Sequence, residues 1–325
     1  MTNIYGNRFE LNEYLNFDDA VEAVKWEVDR TLSTSPKIIR QYTQHLVVSR
    51  GKFIRTLSLL ACAQKEDKMI HRNAVNFAAA VELLHLATLV HDDVIDDADL
   101  RRGEITLQKK FGKKTAVICG DYLLAVSLEL AASVSDKEDY LKLNMPSYVS
   151  KVCLGELNQH LNNHNIDLGI MKYLRIISGK TAALFEASFY AGAVLSETDP
   201  KRINRYRKLG NNIGMLFQLT DDCMDFEETT EVAKKPVESD YEQGVITLPL
   251  IYALKKDEEF KKKAEGKLSR SDINSAVKKT GGLDFTHMLA EKYYKKSLKI
   301  IADLELEEDK ANKLKFVLDK SYRLL

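Results

Sequence analysis

Residues 74–97 read AVNFAAAVELLHLATLVHDDVIDD. Up to Val90 the segment shows almost no polar face, the pattern of a helix enclosed by other helices rather than one lying at a surface. It then ends abruptly in aspartates. Residues 209–226, LGNNIGMLFQLTDDCMDF, repeat that order: an apolar helical stretch closing on clustered acids. Apolar spacing at three and four residues predicts further helices over 18–32, 37–48, 53–65, 115–134, 140–163, 170–193, 200–208 and 246–255. Alternation of period two is missing. Residues 255–272 are almost wholly polar and predict a solvated connection with a short helix, after which helical periodicity returns, as in EKYYKKSLKIIADL.

The composition supports an all-α protein. Only 5 prolines and 15 glycines occur in 325 residues, too few for many tight β-turns. No linker divides the chain, so residues 1–325 are expected to form a single large helical bundle around a central cavity. With 48 basic and 48 acidic side chains the net charge is zero, which removes the electrostatic footprint of a nucleic-acid binder. The N-terminus lacks a basic start and an apolar signal core, and no unbroken run of eighteen apolar residues occurs. A cytoplasmic protein with no transmembrane segment is therefore expected. Cys62, Cys119, Cys153 and Cys223 are far apart in apolar contexts and are expected to be buried, reduced thiols.

The aspartates carry the chemistry. Asp92 and Asp96 are four apart, on one helical face and about 6 Å apart along its axis. Asp221 and Asp225 repeat the spacing. Like charges at that interval, close to helix C-termini, destabilise a helix, so something positive must compensate. Carboxylate oxygens are hard ligands and no softer ones stand nearby, which makes Mg²⁺ the expected ion. Mg²⁺ held by one or two carboxylates completes its octahedron with water and substrate phosphate, so a phosphorylated substrate is expected. Cations flank the acids: Arg101 and Arg102 follow in DLRRG, Lys52 and Arg55 open the apolar SRGKFIRTLSLL, and His85 lies two turns before Asp92.

Three other patterns carry less. Ser178-Gly179-Lys180-Thr181 ends like a phosphate-binding P-loop, but the required first glycine falls at Leu174 and a helical stretch precedes it. Glu82-Leu83-Leu84-His85 matches half of a di-iron site with no second copy. Glu156, His160 and His164 share helical spacing that would suit zinc, and an exposed polar face explains them equally.

Together the motifs resemble the trans-polyprenyl diphosphate synthase family, the head-to-tail isoprenoid prenyltransferases. HDDVIDDADLRRG resembles its first aspartate-rich motif and QLTDDCMDF its second, in the same order and at similar spacing. GKFIR, FGKKTAVICGDYLLA, Gly155-Glu156, GKTAALFEAS and KPVESDYEQGVITLPLIYAL are similar to further blocks, over roughly residues 45–255. The resemblance implies a helical bundle of the isoprenoid synthase type. It implies that Lys52, Arg55, His85 and Arg102 bind isopentenyl diphosphate. It also implies that Asp92, Asp96, Asp221 and Asp225 ligate about three Mg²⁺ ions on an allylic diphosphate, helped by Arg101, Lys180, Thr181, Gln218 and Lys235. Lys180 and the four aspartates are the implied catalytic set, and the departing pyrophosphate takes the last proton. A homodimer is implied, with a small regulatory subunit as a possible further partner. Several positions depart from the family's habit: Arg50 and Lys234 and Glu238 replace glycines, Thr56 replaces a frequent proline, and Val245 replaces a lysine of many short-chain members.

Product length is read one turn at a time, about 5.4 Å, back from Asp92: Thr88 and Ala87, then Leu84, then Ala80. No large aromatic closes that line, which resembles makers of all-trans chains of about six to eight isoprene units, about C30 to C40. The pattern is most similar to catalytic subunits of two-component hexaprenyl and heptaprenyl synthases. A short-chain farnesyl or geranylgeranyl synthase and a non-catalytic partner subunit are the alternatives. A terpene cyclase is disfavoured by the intact second cluster.

Overall fold

Helix accounts for 76% of the described residues, in agreement with the all-α expectation. The computed structural model describes residues 12–47, 51–227, 241, 243–266 and 268–322. Its helices are α1 (Phe17–Ser33), α2 (Arg40–Leu46), α3 (Ile54–Ala63), α4 (Arg72–Ile95), α5 (Leu107–Phe111), α6 (Lys113–Ala132), α7 (Lys137–Leu143) and α8 (Met145–His160). They continue as α9 (Ile170–Ile177), α10 (Ala183–Ser196), α11 (Pro200–Glu227), α12 (Leu248–Lys256), α13 (Glu258–Lys263), α14 (Arg270–Thr280), α15 (Gly282–Asp303) and α16 (Glu308–Ser321).

Local chemistry sets many of the ends. Asn16 caps α1 by accepting from the Asp19 amide at 2.9 Å, and Ser269 with Asp272 forms a reciprocal capping box on α14. The helix expected over 140–163 is broken at Asn144, whose left-handed φ of 47° ends α7 just before Met145-Pro146 opens α8. The helix expected over 170–193 contains a five-residue π-helical turn, Ser178–Ala182. The two helices expected over 200–208 and 209–226 are one helix of 28 residues, α11. Two short antiparallel ladders also occur, β1 (Tyr14–Leu15) with β2 (Ile70–His71) and β3 (Leu100–Arg101) with β4 (Glu104–Ile105). At two residues each they are too short to leave an alternation in the sequence.

The chain packs as two units. The first comprises Met1–Pro146, Ala187–Arg207 and Leu304–Val317; the second comprises Ser147–Glu186, Lys208–Asp303 and Leu318–Leu325. In the first, α4 is the core: Phe77, Ala78, Ala79, Ala80, Val81 and Leu83 have no exposed surface, and the helix packs chiefly on α6, then on α1 and α3. In the second, Ile213, Leu216 and Leu219 of α11 are fully buried, and α12 packs against α14 and α15. By length and composition α4 and α6 are apolar enough to cross a membrane. The apolar window of α4 is 61% buried against protein, which accounts for its composition without a bilayer, whereas α6 leaves Val117 and Ile118 exposed. All four cysteines are free; Cys62, Cys119 and Cys223 are buried as expected, but Cys153 is exposed, on the face of α8 that also exposes Leu154 and Leu157.

Candidate active site

Within the first unit, the C-terminal turn of α4 sorts its own aspartates. Asp93 is buried and accepts from Arg101 Nε at 2.6 Å; Asp97 pairs with Lys113 Nζ at 2.8 Å. The Lys113 hydrogen bond and charge hold the Asp97 carboxyl below the usual carboxylate range. Asp93 is thereby committed to the fold, whereas the Asp97–Lys113 pair lies at the surface. Asp92 and Asp96, one turn apart, are the half-exposed and exposed members. Arg101, expected on the allylic diphosphate, has Asp93 as its carboxylate partner.

DLRRG folds as a β-hairpin whose two turn residues, Arg102 and Gly103, both have positive φ, 54° and 83°. Two-residue hairpin turns with that geometry match the strand twist, and glycine meets the demand freely while an arginine does not. A non-glycine residue held there costs of order 1–3 kcal/mol and marks a position fixed by its surroundings. What fixes it is visible. The guanidinium of Arg102 lies against Gly51, where an added Cβ would stand 3.1 Å from Nη1.

Glu82 organises the remaining cations. The start of α3 has no side-chain cap of its own, and Phe53 enters it in a left-handed conformation. Glu82 Oε1 instead accepts from both the Thr56 amide at 3.2 Å and the Thr56 hydroxyl at 2.8 Å. A carboxylate is favoured at a helix N-terminus, and Thr56 offers two donors where proline would offer none. That accounts for one departure from the family's habit. Burial raises the Glu82 pKa, opposed by the Thr56 hydrogen bonds and by the charges of Arg55 and Arg102. Burial, then Arg55, Arg102 and Arg101, push His85 well below the ordinary histidine range, so it is neutral. Arg55, His85 and Arg102 are therefore brought together around Glu82. Lys52 is exposed beside Gly51. Of the chain-length residues, Ala80, Leu84 and Ala87 are buried on α4, and the Thr88 hydroxyl donates to the His85 carbonyl at 2.8 Å.

In the second unit Lys180 and Thr181 stand on the π-helical turn, a local widening that recurs at functional positions. No P-loop is formed. The turn is pressed against α8 at Gly155, where an added Cβ would lie 2.2 Å from the Lys180 backbone nitrogen and 2.5 Å from the Gly179 carbonyl carbon. Backbone cannot yield as a side chain can, so Gly155→Ala is expected to displace the turn. The expected cost is about 1–3 kcal/mol of stability, with a lower condensation rate, checked by thermal unfolding and initial rates. Lys180 Nζ pairs with Glu156 at 3.0 Å. Thr181 donates to Gln218 Oε1 at 2.6 Å, Gln218 Nε2 donates to Asp222 Oδ1 at 2.9 Å, and the Tyr173 hydroxyl donates to Asp222 Oδ2. Burial pushes Asp222 up to about 7, against the pull of Tyr173 and Gln218. Asp221 is exposed and Asp225 half-buried. Arg270 Nη2 donates to the Asp225 carbonyl at 3.2 Å, a cation at the C-terminal end of α11, and lines a cleft with Asp225, Val245 and Thr247. Lys235, Lys234, Glu238 and Arg50 lie outside the described residues.

The carboxylates fit Mg²⁺ as ligands that leave most of its octahedron to water and phosphate. Among the described residues no three His, Cys, Asp or Glu side chains form a ready-made metal cage. The zinc grouping does not assemble: α8 ends at His160, and His164 lies beyond it in a left-handed conformation, its amide donating to the Gly244 carbonyl at 2.6 Å. Sequence reasoning missed Glu82 as a cap, and it missed Tyr173 and Arg270. The signal for Glu82 was its placement one turn before His85 on an otherwise apolar helix. Tyr173 and Arg270 left none, since their partners are 49 and 45 residues away.

Comparison with known proteins identifies the family. Residues 36–280 match the polyprenyl synthetase family model. Component 2 of heptaprenyl diphosphate synthase from Geobacillus stearothermophilus is 35% identical over 301 residues, covering 91% of this chain and 93% of that one. Octaprenyl diphosphate synthase of Escherichia coli is 33% identical over 224 residues, 69% of this chain and 68% of that one. The crystal structure of heptaprenyl diphosphate synthase from Staphylococcus aureus superposes with a TM-score of 0.86 at 33% identity, covering 95% of this chain and 98% of that one. The family acts on allylic and isopentenyl diphosphates and uses divalent metal ions. With both aspartate pairs, their flanking cations and this family match in place, the chain belongs to the polyprenyl synthetases, the trans-polyprenyl diphosphate synthases, and is a prenyltransferase.

Proposed function

We propose that the chain, acting as one domain over residues 1–325, condenses an allylic diphosphate with isopentenyl diphosphate to a long all-trans polyprenyl diphosphate, about C30 to C40, releasing pyrophosphate. The observation that carries this is the pairing of Asp92 with Asp96 and of Asp221 with Asp225 at the ends of apolar helices, while Asp93 and Asp222 turn inward to protein partners. Mg²⁺ bound to the outward carboxylates supplies Lewis-acid charge neutralisation to the allylic diphosphate. Lys180, on its π turn, adds a point charge to the same leaving group once it exchanges Glu156 for phosphate. Lys52, Arg55 and Arg102 hold the diphosphate of isopentenyl diphosphate. Neutral His85 contributes hydrogen bonding to it without adding charge. No protein nucleophile or general base is required, because the pyrophosphate accepts the final proton.

The long product follows from the absence of an aromatic between Ala80 and Thr88 on α4; Phe77 stands one turn beyond Ala80. Ala80, Leu84 and Ala87 are small or flexible apolar residues on one face, and Thr88 follows them. Ala87→Phe is expected to shorten the product by several isoprene units with the first condensation largely intact, at a cost of about 1–3 kcal/mol for the added volume. Product chromatography after incubation with farnesyl diphosphate and labelled isopentenyl diphosphate reads it out. An unchanged length would place the tunnel elsewhere.

A heteromeric enzyme is a second reading, favoured by two relatives that are each named component 2 of heptaprenyl diphosphate synthase. Both readings keep catalysis on this chain, and family analogy supplies a second copy of it as partner otherwise. Assay of the chain alone separates them: turnover without any other protein supports the homomeric enzyme, and turnover only with an added small subunit supports the heteromer.

A further inference from the structure

Gln218 is the joint of a hydrogen-bond chain within the second unit. Its Oε1 accepts from Thr181 at 2.6 Å, its Nε2 donates to Asp222 Oδ1 at 2.9 Å, and Asp222 Oδ2 accepts from the Tyr173 hydroxyl. The two ends of an amide have the same shape, so the polarity of the neighbours decides which way round it stands. Tyr173 is 2% exposed and Asp222 1%, so both are held by the surrounding packing. In its carboxylate form, receiving the phenol O–H, Asp222 presents an acceptor to Gln218, which turns its NH₂ edge inward. The Gln218 carbonyl then faces Thr181, whose single hydroxyl proton is used there. Toward a diphosphate, an acceptor-only ligand, Thr181 has no proton left to give, whereas Gln218 keeps a second N–H.

We propose that Tyr173 and Asp222 are positioning residues that lock the Gln218 amide so that its spare N–H serves the allylic diphosphate, and that Thr181 orients Gln218 rather than donating to that diphosphate. This rests on the prenyl-transfer reading of the site and revises the role expected for Thr181. The phenol of Tyr173 thus acts on the substrate through two intervening side chains.

The test is a double-mutant cycle of Tyr173→Phe with Gln218→Ala, read as KM for farnesyl diphosphate, KM for isopentenyl diphosphate and thermal midpoint. Tyr173→Phe is expected to raise the farnesyl diphosphate KM about tenfold, with the isopentenyl diphosphate KM unchanged. In the Gln218→Ala background the same substitution is expected to add less than about twofold, because the two act in series. Full additivity, or equal losses for both substrates, would overturn the lock. Asp222→Asn, of the same shape but able to donate to Gln218 and release its orientation, gives the same comparison if Tyr173→Phe does not fold. Calorimetric binding of inorganic pyrophosphate with Mg²⁺ keeps the two claims apart. Binding weakened about tenfold by Tyr173→Phe, together with a wild-type chain that turns over no prenyl substrate, would retain the lock and remove the prenyl-transfer reading. Unweakened binding would remove the lock.

Discussion

Asp92→Asn and Asp221→Asn are each expected to lower kcat/KM for the condensation by about a thousandfold, or about 4 kcal/mol, while the thermal midpoint holds or rises. The two effects have opposite signs because the same charges serve chemistry and burden the helix. Asp92 with Asp96, and Asp221 with Asp225, place like charges one turn apart at helix C-termini, where both mutual repulsion and the helix dipole disfavour them. Removing one is neutral to stabilising by a few tenths of a kcal/mol. Lewis-acid stabilisation of a leaving diphosphate is worth several kcal/mol, and in the proposed reaction each carboxylate would be a ligand. Asp93→Asn supplies the contrast. Asp93 is 6% exposed and bonded to Arg101, so its loss leaves a guanidinium without its carboxylate and is expected to cost stability, about 2–3 kcal/mol. Initial rates and thermal unfolding of Asp92→Asn and Asp93→Asn separate ligand from scaffold within a single DDVID run, and Asp221→Asn extends the comparison to the second cluster.

Glu82→Leu is expected to lower stability by about 2–3 kcal/mol and to raise the KM for isopentenyl diphosphate, with Glu82→Gln recovering most of the stability. Glu82 is the only side chain described as capping the start of α3, through two hydrogen bonds from buried Thr56. Leucine would strand both donors at a helix end that has no cap of its own. Glutamine keeps an acceptor for Thr56 and removes only the charge that faces Arg55 and Arg102. Stability recovered by glutamine with the KM still raised would assign the charge to holding the two arginines. Chemical denaturation and substrate titration of both variants give the two quantities.

The parts of this protein legible in the sequence are those that local spacing decides. A helix with no polar face has to be enclosed, and α4 is; aspartates four apart have to share a face, and Asp92 and Asp96 do. What stayed hidden depends on distant partners or on backbone detail. The π turn at Ser178–Ala182 has the composition of an ordinary helix, and its widening answers to Gly155, which lets α8 approach it. Asn144 ended a helix inside a stretch whose apolar spacing ran on regardless. Thr56 read as a departure from a family habit, because Glu82, 26 residues on, is what gives it a purpose. Nothing in DLRRG reveals that Asp93 turns inward to meet Arg101.

The most direct measurement is a crystal structure of the full chain grown with Mg²⁺ and the thiolo analogue of farnesyl diphosphate, which cannot ionise. The expected result is an analogue diphosphate bound through Mg²⁺ ions whose protein ligands are Asp92, Asp96, Asp221 and Asp225. A diphosphate bound elsewhere, with these four carboxylates free of metal, would contradict it.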